Sequence, residues 1–153
     1  MLRPGLTRSG YGAWREPSDP GLRSGATLDV IRGIDGGRGP DTIVWPGPGV
    51  RVPLRAYPGH ESPDPLTSCP GYGPRTGLPI VVQLEAGRVL ESTAVAVNGS
   101  LVPHCQLTPQ NRPELARDGA VVLIPRDPLP GGAVVTTSLR DGGGRMTWAF
   151  RVR

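Results

Sequence analysis

The feature that most constrains the fold is a strict alternation of apolar and polar residues at the end of the chain. Large apolar side chains occupy every second position of this segment: Met146, Trp148, Phe150 and Val152. Because successive side chains of a β-strand point to opposite faces, the pattern predicts a strand with one buried face. The preceding Asp141–Gly144 (DGGG) supplies residues that tolerate positive φ. We therefore predict an antiparallel hairpin over residues 133–153, with Trp148 and Phe150 in the core.

Other segments carry a similar β-branched signature, bounded by turn residues such as Asn98-Gly99. These predicted strands are Leu78–Glu85, Leu90–Val97, Leu101–Leu107, Ala120–Ile124 and Ala133–Leu139. Thr42–Trp45 and Val50–Leu54 end at or next to prolines and are predicted to be edge strands. The helix-compatible piece, Arg112–Arg117, lies inside a connection. Many short strands at this spacing predict an all-β sandwich.

Glycine and proline concentrate in the first half of the chain. The 23 glycines and 19 prolines are more than a quarter of the 153 residues, a share typical of chains with low-complexity segments. Residues 1–33 hold turn residues and one alternating run, Ala26–Ile31, which is enough for a hairpin but not for a core. We expect them to be poorly packed unless they meet another chain. Residues 34–41 have the composition of a linker, which leaves residues 42–153 for the sandwich.

The charge pattern does not favour a nucleic-acid partner. All 17 basic residues are arginines, and with 13 acidic residues they give a net charge of +4. They are scattered, whereas nucleic-acid-binding proteins cluster their cations and interleave them with aromatic residues. No stretch approaches the roughly 20 apolar residues that span a bilayer, so we expect no transmembrane segment.

The two cysteines, Cys69 and Cys105, leave two interpretations open. They form one disulfide in an oxidising compartment, or they are two buried free thiols. Because Cys69 lies in a loop rich in proline and glycine rather than on an apolar face, we favour the disulfide. On the chain-entropy model such a bridge contributes roughly 3–4 kcal/mol.

Metal and catalytic sites find little support in the residue spacing. The candidate zinc ligands are His60, Cys69, His104 and Cys105. His104 and Cys105 are adjacent and would point to opposite sides of a strand, which argues against a shared metal and against a Cys105 nucleophile with a His104 base. Glu61 and Asp64 supply too few oxygens for Ca²⁺. We therefore predict no catalytic residues, no metal and no cofactor.

Five segments in the second part of the chain match a known family in their order and spacing. They are IVWP at 43–46, the E-x-P-D-P-L run at 61–66, GLPIVVQL at 77–84, VLIPRDPLPGG at 122–132 and TWAF at 147–150. Together they resemble a bacterial immunoglobulin-like module. Such modules commonly follow CAP domains, the family of cysteine-rich secretory, antigen 5 and pathogenesis-related proteins. The start of the chain is similar to the late part of a CAP domain at Pro4, Leu6, Thr7, Gly10 and Gly12.

The resemblance implies a β-sandwich that follows the last strands of a CAP domain. The His and Glu residues of the family's cleft precede anything equivalent to Met1, so no residue here inherits their roles. We expect a truncated product or the loss of an amino-terminal half. The first twelve residues also lack the apolar segment of a signal peptide.

The function implied is that of a non-enzymatic, extracellular or cell-surface accessory module. It would support or tether a partner domain, or bind a cell-envelope polymer or protein. Export is implied by the resemblance and by the cysteines. The alternative is a carbohydrate-binding β-sandwich that uses exposed Trp45, Tyr57 or Tyr72 as a stacking platform. The oligomeric state is left open.

Overall fold

The computed structural model describes residues 8–11, 28–31, 42–59, 61–85 and 87–153. The chain divides into two compact units, Met1–Pro40 and Asp41–Arg153. In the first unit, β1 (Arg8–Tyr11) pairs with β2 (Leu28–Ile31) in antiparallel register, as expected for the alternating run Ala26–Ile31. The predicted linker at 34–41 lies outside the described residues. The predicted poor packing of residues 1–33 also concerns side chains that the structure does not describe.

The second unit is a sandwich of two β-sheets. One sheet has four strands in the order β3-β5-β9-β8, and the other has five in the order β4-β11-β10-β6-β7. Two short 3-10 helices lie in the connections, at Pro65–Ser68 and Pro113–Asp118. The strands are β3 (Ile43–Trp45), β4 (Arg51–Val52), β5 (Ile80–Gln83), β6 (Leu90–Val97), β7 (Ser100–Leu101), β8 (His104–Leu107), β9 (Ala120–Pro125), β10 (Val134–Asp141) and β11 (Gly144–Val152). The predicted all-β sandwich is confirmed.

The strand order is that of an immunoglobulin-like domain. If the strands are lettered in chain order, the spatial order of the four-stranded sheet is A-B-E-D. In the other sheet, β6, β10 and β11 correspond to C, F and G, and β7 is an additional edge strand beside β6. The first strand is divided between the sheets, since β3 pairs with β5 and β4 pairs with β11 in parallel. Both halves lie at sheet edges, as their flanking prolines predict.

The core lies between the two sheets and contains the predicted face of β11. Trp148, Phe150 and Val152 are 5%, 1% and 3% exposed, whereas Arg145 and Arg151 on the opposite face are exposed. From the four-stranded sheet, fully buried Ile80, Val82 and Leu123 belong to the same core cluster. The indole Nε1 of Trp148 donates a hydrogen bond of 3.0 Å to the carbonyl oxygen of Pro46. The polar atom of this large ring is therefore satisfied inside the core.

Two hairpin turns form where the sequence has glycine-containing pairs. Asn98 and Gly99 both have positive φ, of 50° and 84°, between β6 and β7, as two-residue hairpin turns require. The strands of the last hairpin extend into the predicted turn, because Asp141 pairs with Gly144. Only Gly142 and Gly143 connect them, which fixes the register of β10 on β11.

The prediction of one continuous strand over Leu101–Leu107 was wrong. Residues up to Leu101 belong to the five-stranded sheet, while β8 from His104 onward belongs to the four-stranded sheet. Val102 still donates to Val95 of β6, whereas the Pro103 carbonyl accepts from Arg126 after β9. Proline has no N–H to continue a ladder, and the chain crosses between the sheets at this point.

Thr137, in the middle of β10, provides a stability test. It is fully buried and its hydroxyl has no hydrogen-bond partner, and leaving such a group unpaired costs about 1–3 kcal/mol. Replacing Thr137 with valine, which has the same shape, is expected to raise the free energy of unfolding by about 1 kcal/mol in urea denaturation. Thr136→Val, on the outer side of the same strand, is the control and should change little. A destabilised Thr137→Val protein would contradict the expectation.

Candidate functional site

The outer side of the four-stranded sheet is covered by the loop that precedes β5. Cys69 in this loop and Cys105 on β8 form a disulfide, which confirms the favoured interpretation of the two cysteines. Around the bridge, Cys69, Leu107 and Ile124 make a second buried cluster. Partly buried residues complete it: Leu66, Tyr72, Leu115 and Val122. This loop therefore covers the outer side of the four-stranded sheet.

Arg112 fixes the covering loop from the side of the second 3-10 helix. Its Nη1 donates to the hydroxyl of Thr67 at 2.8 Å, and its Nε lies 2.8 Å from Glu114. The first 3-10 helix is capped by Asp64, whose carboxylate accepts from the Leu66 backbone at 2.9 Å. Asp64 thus has a structural role as the cap of this helix. The backbone N–H of Glu61 donates to the hydroxyl of Tyr57.

The three aromatic residues proposed as alternative stacking platforms differ in their exposure. Tyr57 is 3% exposed, so its assignment as an exposed ring was wrong, and this burial raises the pKa of its phenol. Trp45 is partly buried against the main core. Tyr72 packs in the disulfide cluster, and the guanidinium of Arg126 lies over its ring at 5.1 Å from the centroid. A sugar stacking on that same face of Tyr72 would have to displace the cation.

The candidate zinc and nucleophile residues are held in other roles. The Nε2 of His104 lies 2.7 Å from the Thr93 hydroxyl, while the sulfur of Cys105 is bonded to that of Cys69. Neither sulfur is left as a thiolate ligand, and His60 lies outside the described residues. Within the part of the chain that the structure describes, no group of three His, Cys, Asp or Glu side chains could hold a metal ion.

The outer side of the five-stranded sheet, here called the open face, has a different character. No loop of the described part of the sandwich forms a second cluster over it, in contrast to the loop on the other sheet. Its central positions carry small side chains, on three adjacent strands: Ala94, Ala96, Thr136, Ser138, Thr147 and Ala149. Ser138 and Thr147 share a hydrogen bond of 2.9 Å across the strands. The result is a flat surface of methyl and hydroxyl groups.

Arginines pair across the strands at both ends of the open face. Arg140 of β10 lies directly opposite Arg145 of β11, and Arg51 of β4 lies beside Arg151 of β11. Among these four, only Arg140 has an acidic partner in the described part of the chain, Glu91 at 3.0 Å. The open face is therefore cationic.

A shallow groove of about 240 Å³ lies at the end of the open face that holds Arg140 and Arg145. Its floor is made by Ser92, Thr93, Ala94, Ser138 and Leu139. Arg145 also borders a second groove, together with Thr42, Glu85, Arg88 and the Gly143–Gly144 backbone. Arg145 thus stands between two depressions, where its guanidinium can reach a bound molecule. These features make the open face the candidate functional site.

The arginines of the open face were not recognised from the sequence as a site. Alternation in the last strand assigned Arg145 and Arg151 to its polar side, but each looked like an isolated surface charge. The missing information was the register, which brings Arg140 and Arg51 beside them. For Arg140 a signal was present, because a Gly142-Gly143 turn of two residues places positions 140 and 145 opposite each other.

The described residues contain no helix long and apolar enough to cross a membrane. Comparison of the chain with family models, curated proteins and solved structures finds no match.

Proposed function

We propose that this chain is a non-enzymatic accessory β-sandwich of a CAP-type protein. It acts outside the cytoplasm, where it binds a component of the cell envelope or holds a partner domain there. The observation that carries the proposal is the asymmetry of the sandwich. One sheet is covered by a disulfide-tethered loop, and the other presents a cationic open face with Arg51, Arg145 and Arg151 free of acidic partners among the described residues.

The strand order supports the CAP-associated assignment. An immunoglobulin-like order in residues 43–152 is what the resemblance implies for this region. The paired strands Arg8–Tyr11 and Leu28–Ile31 fit an origin in the last strands of a preceding sandwich. The disulfide between Cys69 and Cys105 is typical of proteins in oxidising compartments.

Sedimentation with purified bacterial cell walls tests the proposal. The full chain is expected to pellet with the walls and to stay in the supernatant with cellulose, an insoluble glycan without envelope components. The same samples are assayed for sugars or peptides released from the walls, and we expect none. A chain that stays in the supernatant with every wall preparation would contradict the binding role. Released fragments would contradict the non-enzymatic one.

A further inference from the structure

We infer that the open face binds an acidic polysaccharide, a glycan that carries carboxylates along its length. This inference rests on the proposed function, since it names the class of envelope component. The two arginine pairs lie on one face and are separated by the six positions of β11 from Arg145 to Arg151. At the rise of an extended strand this separation is about 20 Å. A linear polyanion lying along β11 would meet both pairs.

The pairing of like charges indicates that the arginines serve a purpose other than folding. Like charges directly opposite each other on antiparallel strands destabilise a sheet, and Arg140 with Arg145 is such a pair, although Glu91 lies 3.0 Å from Arg140. Arg51 and Arg151 are register partners on parallel strands and have no acidic partner among the described residues. A carboxylate bound between two guanidinium groups attracts both of them, and this attraction offsets the repulsion between them. Arginine is suited to this role, because its planar fork of donors matches a carboxylate.

The surface between the pairs favours a glycan over other polyanions. The hydroxyls of Thr136, Ser138 and Thr147 can hydrogen-bond the hydroxyls of a sugar ring. The alanine methyls beside them can contact its apolar C–H groups. The described residues of the open face include no aromatic side chain, whereas proteins that hold single-stranded nucleic acid stack its bases on aromatic rings. The described residues of the open face include no tryptophan or tyrosine of the kind that anchors protein–protein interfaces. Its exposed Leu101 lies on the edge strand β7, opposite Ala96, and leucine is under-represented among such anchors.

The experiment measures binding of fluorescently labelled oligogalacturonate, long enough to reach both arginine pairs, to the full chain by anisotropy. A neutral gluco-oligosaccharide of equal length and a single-stranded oligodeoxynucleotide of equal charge are the comparison ligands. The test variant is Arg145→Gln/Arg151→Gln, which removes one arginine from each pair. The control is Arg117→Gln, an exposed arginine on the second 3-10 helix, away from the open face.

We expect saturable binding of the oligogalacturonate and none of the neutral glycan. The double variant should bind at least about tenfold more weakly, since it loses charge-assisted contacts at both ends. Arg117→Gln should bind like the unchanged protein. Because the double variant removes like-charge repulsion, its melting temperature should equal or exceed that of the unchanged protein, so a loss of binding cannot be attributed to unfolding.

Three results would overturn the inference. They are no saturable binding of the oligogalacturonate, binding of the oligodeoxynucleotide as tightly as the oligogalacturonate, and equal affinity of the double variant and Arg117→Gln for the oligogalacturonate. Sedimentation with cell walls separates this inference from the proposed function. If the double variant pellets with walls as the unchanged protein does, the envelope role stands and the open face is excluded as its site. If the chain binds oligogalacturonate but pellets with no wall preparation, the envelope role fails and the binding activity stands.

Discussion

Replacing Trp148 with alanine is expected to lower the free energy of unfolding by roughly 3–5 kcal/mol. Trp148 is 5% exposed and lies in the main core between the sheets. The neighbouring residues belong to paired strands and can collapse only partly into the space that the ring leaves. The substitution also leaves the Pro46 carbonyl without the donor that lies 3.0 Å away. Urea denaturation followed by far-ultraviolet circular dichroism measures the change without relying on tryptophan fluorescence.

Trp148→Phe separates packing from hydrogen bonding. It keeps an aromatic ring in the core but removes the indole N–H, and a smaller loss of about 1–2 kcal/mol is expected. Thr147→Ala, next to it on the open face, is the surface control and should stay within about 0.5 kcal/mol of the unchanged protein. Unfolding of Trp148→Ala at the same urea concentration as the unchanged protein would mean that the ring is not part of the core.

The strands of the five-stranded sheet could be predicted because the two sides of these strands differ in burial. In β11 the period-two alternation separates Trp148 and Phe150 from Arg145 and Arg151, and burial follows the same division. The predicted strand Leu90–Val97 agrees with β6 at both ends. Where the two sides of a strand differ this clearly, the hydrophobic effect fixes its orientation without knowledge of its neighbours.

The features that could not be predicted depend on which segments meet in space. The crossing at Pro103 depends on two sheets that the local pattern does not distinguish, because the residues on both sides of the proline are compatible with a strand. The parallel pairing of β4 with β11 joins residues that are distant in the chain. The ring of Tyr57 is buried by a loop whose composition is typical of exposed segments. Burial by an irregular loop leaves no periodic signal.

The candidate site illustrates the same limit. Its four arginines are ordinary surface residues on three strands, and they form a site only because the register places Arg140 opposite Arg145 and Arg51 beside Arg151. The candidates found by residue type, such as Cys69 and Asp64, have structural roles instead. For this chain, side-chain chemistry identified the parts that stabilise the loop, whereas strand register identified the surface that could bind.

Removing the disulfide with Cys69→Ala/Cys105→Ala is expected to lower the free energy of unfolding by roughly 3–4 kcal/mol. The bridge joins residues 36 positions apart, and it restricts the unfolded chain by closing that loop. Urea denaturation of the double variant gives the change, and the unchanged protein with a reducing agent is the matched comparison. A loss below about 1 kcal/mol would show that the loop-closure account does not hold for this chain.

The effect of that double variant should also be uneven across the sandwich. Cys69 is 2% exposed in the small cluster with Leu107 and Ile124, which is separate from the main core. Without the bridge, backbone amides in the covering loop should exchange faster with deuterium, while those of β10 and β11 keep their protection under native conditions. Arg140 and Arg145 are on β10 and β11, in the other sheet, so oligogalacturonate binding should be unchanged wherever the variant is folded. Weaker binding by the folded double variant would mean that the covering loop, rather than the open face, supplies part of the site.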